Sequence, residues 1–164
     1  MKIKIFTCGG TIDKIYYDDK DDYTVGESII SHLLEKCNLD IEYEVESLVK
    51  KDSLYINSKD LDLIRSSVKN CSCDKILITH GTDTMIDTSS LVSIHKSGKR
   101  VVFTGSMKPA RFIDSDALFN IAYALGFLTN SDECGVFIAM HGKVFDPLET
   151  VKNVDLGKFQ VKSE

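Results

Sequence analysis

The stretch of residues 76–85, ILITHGTDTM, constrains the fold of this chain more than any other. It begins as an apolar, β-branched run, which predicts a strand buried on both faces of a parallel sheet. Gly81 ends the run, and Thr82 and Asp83 then supply a hydroxyl and a carboxylate where a helix can begin. Because ligands of open α/β sheets bind outside the carboxyl ends of the strands, we expect the chemistry of this chain near that turn.

A second stretch, residues 3–12, has the same design, with the strand-like sequence IKIFT followed by CGGTI. Its two glycines allow a tight turn and a close approach of the backbone to a ligand. They also leave the hydroxyl of Thr11 at the end of the strand. If the two strands lie near each other in a parallel sheet, Thr11 faces the same crevice as Thr82 and Asp83.

Strand-like and helix-like segments alternate along the rest of the chain, which predicts a three-layer α/β/α fold with a mostly parallel, flavodoxin-like sheet. Strands are predicted over residues 41–46, 100–104 and 135–140, a hairpin over 141–146, and helices over 27–37, 83–95 and 114–128. A further helix is predicted after Asn57 or Ser58, with Leu61, Leu63, Ile64 and Val68 on its apolar side. Residues 14–23 lack apolar periodicity and are predicted to form a mobile loop, with Asp18, Asp19, Asp21 and Asp22 in solvent.

The motifs CGGTI at residues 8–12 and HGTDTM at residues 80–85 resemble the two threonine motifs of the bacterial-type L-asparaginases. This resemblance extends over nearly the whole chain, and it implies that residues 1–164 form one catalytic domain of the asparaginase N-terminal type. The implied reaction converts L-asparagine to L-aspartate and ammonia through a threonine nucleophile and an acyl-enzyme intermediate. It requires no metal and no other cofactor.

The resemblance also implies the catalytic residues. Thr11 would attack the side-chain amide of asparagine, while Tyr23 closes over it from a flexible lid. Thr82 would form a second centre, activated through Lys152 and Asp83, with a neutral lysine as the base. Without the resemblance, Lys152 is one solvated charge among many and Tyr23 packs on the edge of the domain.

Four further residues are expected to bind the substrate. Backbone N–H groups at the turns of Gly10 and Gly81 can stabilise the developing oxyanion. By resemblance, Ser53 holds the α-carboxylate and the backbone carbonyl of Ser106 accepts from the leaving nitrogen, while Asp83 also pairs with the α-ammonium group. On local grounds alone, Ser53 is equally typical of a turn.

Composition limits the partners and the compartment. A net charge of -5 argues against nucleic acid or an anionic membrane as the main partner. No apolar run is long enough to span a bilayer, and the start of the chain resembles a strand rather than a signal peptide, so we expect a cytoplasmic protein. Five cysteines fit no disulfide framework, and the Cys71-Ser72-Cys73 spacing does not match a paired zinc knuckle, so reduced thiols are expected.

Two alternatives to an asparaginase remain open. Leu54 occupies the position where the family often has a glutamine that contacts the substrate α-amino group, which favours a broader ω-amidase or glutaminase. A catalytically weak amino-acid-binding domain is the third hypothesis. In each case the expected partner is a small molecule, L-asparagine in the leading hypothesis, and the expected assembly is a homodimer.

Overall fold

A computed structural model of the chain describes residues 2–17, 22–93 and 98–162, in which strands and helices alternate. The strands are β1 (Lys2–Gly9), β2 (Lys14–Tyr17), β3 (Asp22–Val25), β4 (Glu42–Lys51), β5 (Lys75–Thr79), β6 (Arg100–Thr104), β7 (Gly135–Met140), β8 (Lys143–Phe145), β9 (Thr150–Asn153) and β10 (Lys158–Val161). The helices are α1 (Ile30–Lys36), α2 (Ser58–Asn70), α3 (Met85–Ser93) and α4 (Ala117–Asn130). None of these four helices has both the length and the apolar character that a membrane span requires.

The central sheet has six strands in the order β4-β1-β5-β6-β7-β8. The first five are parallel, and β8 pairs antiparallel with β7. Numbered among themselves, the parallel strands have the order 2-1-3-4-5 of flavodoxin-like folds, which confirms the predicted class. The chain order reverses between β1 and β5, so the turns after these two strands flank the position where such folds bind ligands.

Helices cover both faces of the sheet, because residues of a buried strand point alternately to opposite sides. One core cluster joins alternate strand residues to α2 and α3, and includes Phe6, Ile76, Ile78, Ile64, Val68, Met85 and Val92. The other joins the intervening strand residues to α1 and α4, and includes Ile3, Ile5, Leu77, Ile30, Leu34, Ile121 and Leu128. The prediction of three layers is therefore confirmed.

The loop predicted at residues 14–23 is instead partly a hairpin. Strands β2 and β3 pair antiparallel, with Tyr16 opposite Tyr23 and a distance of 5.2 Å between the ring centroids. The sequence pattern missed this pairing because cross-strand aromatic contacts stabilise the hairpin rather than a buried apolar face. Asp22 is exposed, as predicted, whereas the other three acids of the segment lie outside the described residues.

Several helix boundaries and one core assignment also differ from the sequence predictions. Helix α1 begins three residues later than expected, and α3 begins at Met85 rather than at residue 83. Leu63, predicted on the apolar side of α2, is 43% exposed, whereas Ile64 and Val68 are buried. Neighbouring residues of a helix point about 100° apart, so Leu63 cannot share the buried stripe on which Ile64 and Val68 lie.

Helix α2 begins with a reciprocal cap at Asn57. The side-chain oxygen of Asn57 accepts hydrogen bonds from the backbone N–H groups of Lys59 and Asp60, at 3.0 and 3.2 Å. In return, Oδ2 of Asp60 accepts from the backbone N–H of Asn57, at 2.9 Å. Three otherwise unpaired backbone N–H groups at the start of the helix are thereby satisfied, in the arrangement of a capping box.

We predict that Asn57→Ala lowers the free energy of unfolding by about 1 kcal/mol, because the helix loses its side-chain acceptor. Asn57→Ser is the matched control, since serine retains an acceptor at the same position and should preserve most of the stability. Urea unfolding followed by circular dichroism measures the difference. Equal midpoints for the alanine variant and the unaltered protein would show that this cap is unimportant.

Candidate active site

Three turns at the carboxyl ends of β1, β5 and β6 are in direct backbone contact. A Cβ atom added to Gly10 would lie 2.3 Å from the Cα atom of Gly81, and Gly10 has a positive φ of 85°. One added to Gly81 would lie 2.5 Å from Oγ of Ser53, and one added to Gly105 would lie 2.4 Å from the carbonyl oxygen of His80. Any side chain at these positions would force the turns apart, so glycine is required for them to converge.

Thr82, Asp83 and Lys152 meet beside these turns. The Nζ atom of Lys152 lies 3.0 Å from Oγ1 of Thr82 and 2.5 Å from Oδ1 of Asp83. Thr82 is buried, the Lys152 side chain is 15% exposed, and the Asp83 side chain is 47% exposed. A protonated lysine donates to both oxygens, whereas a neutral lysine has a lone pair that can accept the hydroxyl proton.

Lys152 reaches this position from a two-stranded ribbon outside the central sheet. It lies on β9, opposite Phe159 of β10, and Phe159 is buried in the main core. The ribbon is joined to β8 by a short 3₁₀ turn, where Oγ1 of Thr150 donates to the carbonyl of Asp146 at 2.5 Å. These contacts hold the start of β9, the strand that carries Lys152, in place.

Thr11 is the first residue of a 3₁₀ turn that follows Gly10, and its side chain is half-buried. The turn is supported by Asp13, which no motif in the sequence singles out. The buried carboxylate of Asp13 accepts from the backbone N–H of Ile29 at 2.9 Å, and its backbone carbonyl accepts from Gly26 at the same distance. Burial raises the pKa of Asp13, with hydrogen bonds from Ile29 and Ser28 acting in the opposite direction. The turn of Thr11 is thus tied to both the end of the hairpin and the start of α1.

Tyr23 lies on β3 of this hairpin and is 44% exposed. Its ring contacts are with Tyr16 and with Phe112, whose ring centroid is 6.2 Å away. These contacts lie outside the cluster of Thr82, Asp83 and Lys152. Tyr23 therefore lies on the hairpin that follows the turn of Thr11, but these contacts do not connect it to Thr82, Asp83 and Lys152.

Ser53 is buried against Gly81, and its turn is linked to the hairpin. The carbonyl of Ser53 accepts from Oγ1 of Thr84 at 3.1 Å. The preceding Asp52 accepts from the backbone N–H of Leu54 at 3.1 Å and forms an ion pair with Lys14 of β2 at 2.8 Å. The side chain of Leu54 is 66% exposed, so it does not contribute to the core.

Ser106 lies in the turn after β6, which Asp116, the residue before α4, and Asn120, within α4, hold in place. The Asp116 carboxylate accepts from the backbone N–H groups of Met107 and Lys108, at 3.0 and 3.1 Å. Nδ2 of Asn120 donates to the carbonyl of Gly105 at 3.0 Å. Asp116 and Asn120 thereby fix the backbone on both sides of Ser106.

His80 is fully buried next to Gly81. Its Nδ1 lies 2.8 Å from the carbonyl oxygen of Gly81, so Nδ1 carries the proton, and no described residue bonds to Nε2. Burial lowers the pKa of His80 to about 4. The ring is therefore neutral at physiological pH and supports the turn rather than carrying charge.

The fold is that of an α/β protein with a mostly parallel central sheet. Two threonines lie at the carboxyl edge of this sheet, and one of them, Thr82, is hydrogen-bonded to Lys152, which also pairs with the Asp83 carboxylate. The family model described as "Asparaginase, N-terminal" matches residues 2–158. The chain therefore belongs to the asparaginase family.

Individual relatives support this assignment. The chain is 30% identical to L-asparaginase 2 of Escherichia coli, over 92% of this chain and 46% of that protein. It is also 30% identical to a glutaminase-asparaginase of Acinetobacter glutaminasificans, over 68% of this chain and 33% of that protein. The thermostable L-asparaginase from Thermococcus kodakarensis superposes with a TM-score of 0.86 and 30% identity, covering 98% of this chain and 51% of that one. The chain thus spans a third to a half of the curated relatives it matches.

We predict that Gly81→Ala lowers the free energy of unfolding by about 1–3 kcal/mol, because the new methyl group would overlap Ser53. Gly126→Ala is the matched control, since Gly126 lies in α4 and a Cβ atom there meets nothing within 4 Å. The control should gain up to about 1 kcal/mol from its better helix propensity. Denaturant unfolding of both variants measures the contrast, and equal effects would exclude steric contact at Gly81 as the cause.

We also predict a pH-dependent loss of stability caused by His80. Its folded pKa of about 4 lies below the ordinary histidine value of about 6.5, so the unfolded chain binds more protons between these values. Stability should therefore fall by about 3 kcal/mol as the pH decreases from 6.5 to 4. His80→Asn keeps a donor for the Gly81 carbonyl and should lose this component when unfolding is measured across the range. An unchanged profile in the variant would assign the effect to other groups.

Proposed function

We propose that this chain is an amidohydrolase that converts L-asparagine to L-aspartate and ammonia. The observation that carries the proposal is the position of the Lys152 amine, 3.0 Å from the Thr82 hydroxyl and 2.5 Å from the Asp83 carboxylate. A binding site for an amino acid does not need a lysine on a buried hydroxyl. Membership of the asparaginase family supports the same class of reaction.

In the proposed reaction, the Thr11 oxygen attacks the side-chain amide carbon of asparagine. The carbon–nitrogen bond then breaks, the nitrogen leaves as ammonia with the hydroxyl proton, and an acyl-threonine remains. Water attacks this ester, releases aspartate and restores the threonine hydroxyl. Thr82 would orient the water, with the neutral amine of Lys152 as proton acceptor and Asp83 holding that amine in place.

Substrate recognition would use the three turns that meet at the glycines. Ser53 would bind the α-carboxylate, and the Asp83 carboxylate would pair with the α-ammonium group on its exposed side. Backbone N–H groups of the Gly10-Thr11 and Gly81-Thr82 turns would stabilise the oxyanion, because their positions are fixed before substrate arrives. The N–H of Gly10 itself donates to the carbonyl of Lys51 at 2.9 Å, so Thr11 would supply the donor on the first turn. The carbonyl of Ser106 would accept a hydrogen bond from the leaving nitrogen.

A broader ω-amidase or glutaminase activity is the second candidate, and Leu54 favours it. This exposed apolar side chain follows the serine proposed to hold the α-carboxylate and offers no polar group to the α-amino group. Losing one charge-assisted hydrogen bond costs roughly 1.5–3 kcal/mol, so a KM raised tenfold or more is expected. Parallel kinetics with asparagine and glutamine would distinguish the two activities.

The proposal also includes a cytoplasmic homodimer that contains no metal. All five cysteines are free thiols, which suits a reducing compartment. Large apolar side chains close to the proposed site are exposed, with Leu54 at 66% and Phe112 at 41%. A second copy of the chain could cover them, and sedimentation of the purified protein would test this.

We predict that Thr11→Ala and Lys152→Met each nearly abolish ammonia release from L-asparagine. Removing a general base costs about 10²–10⁴-fold in rate, and removing the nucleophile should cost at least as much. Thr11→Ser keeps a hydroxyl and should retain measurable activity, and Lys143→Met removes an exposed lysine on β8 and should change nothing. Rates equal to those of the unaltered protein in both test variants would reject the hydrolase. Calorimetric binding of aspartate without turnover would favour a binding domain.

A further inference from the structure

Two thiols share a cleft at the opposite end of the sheet from the proposed active site. The cleft has a volume of about 340 Å³ and lies between α2 and the outer strands β4 and β1. Cys71 and Cys73 line it in the short segment that joins α2 to β5, and both are half-buried. The proposed hydrolase chemistry uses neither residue.

The two cysteine side chains are in contact with each other. The backbone N–H of Cys73 donates to Sγ of Cys71 at 3.4 Å, and the two side chains interact electrostatically. An amide N–H that points at a cysteine sulfur stabilises negative charge on that sulfur. The segment therefore holds one sulfur next to another and supplies a donor for the charge that develops when a thiol loses its proton.

Lys99 fixes the backbone of this segment. Its Nζ atom lies 2.5 Å from the carbonyl oxygen of Cys71 and 3.2 Å from that of Cys73. Because one ammonium group binds both carbonyls, the two cysteines are held in a single arrangement before any ligand arrives. Such preorganisation lowers the cost of binding at a site.

We propose that Cys71 and Cys73 form a binding site for one soft monovalent cation with a filled d shell, of which Cu⁺ is the biological example. Thiolate sulfur selects Cu⁺ over harder ions. The ion would replace two thiol protons, so that Cu⁺ and two thiols give one bis-thiolate complex and two released protons. No third histidine, cysteine, aspartate or glutamate completes a metal site within the described ranges, which disfavours four-coordinate zinc but satisfies an ion that accepts two ligands.

The surrounding charges are compatible with the resulting anionic complex. Lys2 and Lys4 line the same cleft. Burial and the neighbouring Cys71 raise the pKa of the Cys73 thiol, and Lys2 acts in the opposite direction. Glu44 and Glu46 line the cleft as well. Both lysines contact Glu44, at 2.9 and 2.7 Å, and Lys4 also contacts Glu46 at 2.7 Å, so the two acids are paired with the two lysines. The single negative charge of a bis-thiolate complex would therefore be tolerated in this cleft.

The test is an anaerobic titration with Cu⁺ in competition with a chromogenic Cu⁺ chelator. The background protein carries Cys37→Ser and Cys134→Ser, which remove the two exposed thiols. We expect one Cu⁺ per chain, with an affinity at least about a hundredfold higher than after adding Cys71→Ser or Cys73→Ser, because two linked ligands bind together. Adding Lys99→Met should weaken Cu⁺ binding by about tenfold, because no ammonium group then holds the carbonyls of Cys71 and Cys73.

Three results would overturn the proposal. They are equal affinities in the background and the single-cysteine variants, binding of one ion per two chains with dimer formation, and transfer of all Cu⁺ to the chelator. Cys71→Ala serves as a second variant, and circular dichroism confirms that each protein is folded. Ammonia release should be the same in the background protein and in Cys73→Ser, so this test does not depend on the proposed hydrolase.

Discussion

The direct contact between the Gly10 and Gly81 backbones is the constraint on which the proposed active site depends. The turns after β1 and β5 can touch only because neither residue has a side chain. Thr11 and Thr82 follow these glycines directly, so the approach of two backbones also brings two hydroxyls to one edge of the sheet. A parallel sheet provides this arrangement at the strands where the chain order reverses. The threonines thus depend on glycine for their relative position and on the buried strands for their rigidity.

The contact between Lys152 and Thr82 has a different origin, because it joins residues 70 positions apart. An ammonium group beside a buried hydroxyl is costly unless an opposite charge accompanies it. Asp83 supplies that charge and remains half in solvent, which limits the cost of desolvating the pair. The lysine reaches this position because the buried Phe159 attaches its ribbon to the core. Packing of the residue opposite Lys152 therefore determines where the amine lies.

Local sequence was sufficient for some of these features and insufficient for others. The apolar runs of β5 and β6 and the second half of β7 are buried on both faces, so the positions of these strands and the fold class followed from composition and periodicity. Thr11, Thr82 and Asp83 lie next to strand ends and could be identified from short motifs. The role of Lys152 required the family resemblance, because an isolated lysine carries no pattern. Asp13 and the pairing of Tyr16 with Tyr23 escaped prediction, since their partners lie on segments that only the tertiary structure brings together.

Lys152 lies on the ribbon of β9 and β10, outside the central sheet, and this position has a consequence for how the chain folds during synthesis. Both threonines lie in turns that follow early strands of the chain, whereas the amine and its ribbon belong to residues 150–161. Contacts between residues distant in sequence form late, because the intervening chain must first be ordered. A nascent chain would therefore carry its sheet and both hydroxyls before it could carry out any reaction. Under the proposed mechanism, a chain in which the ribbon of β9 and β10 has not yet docked would lack the Lys152 amine and therefore the proposed activity.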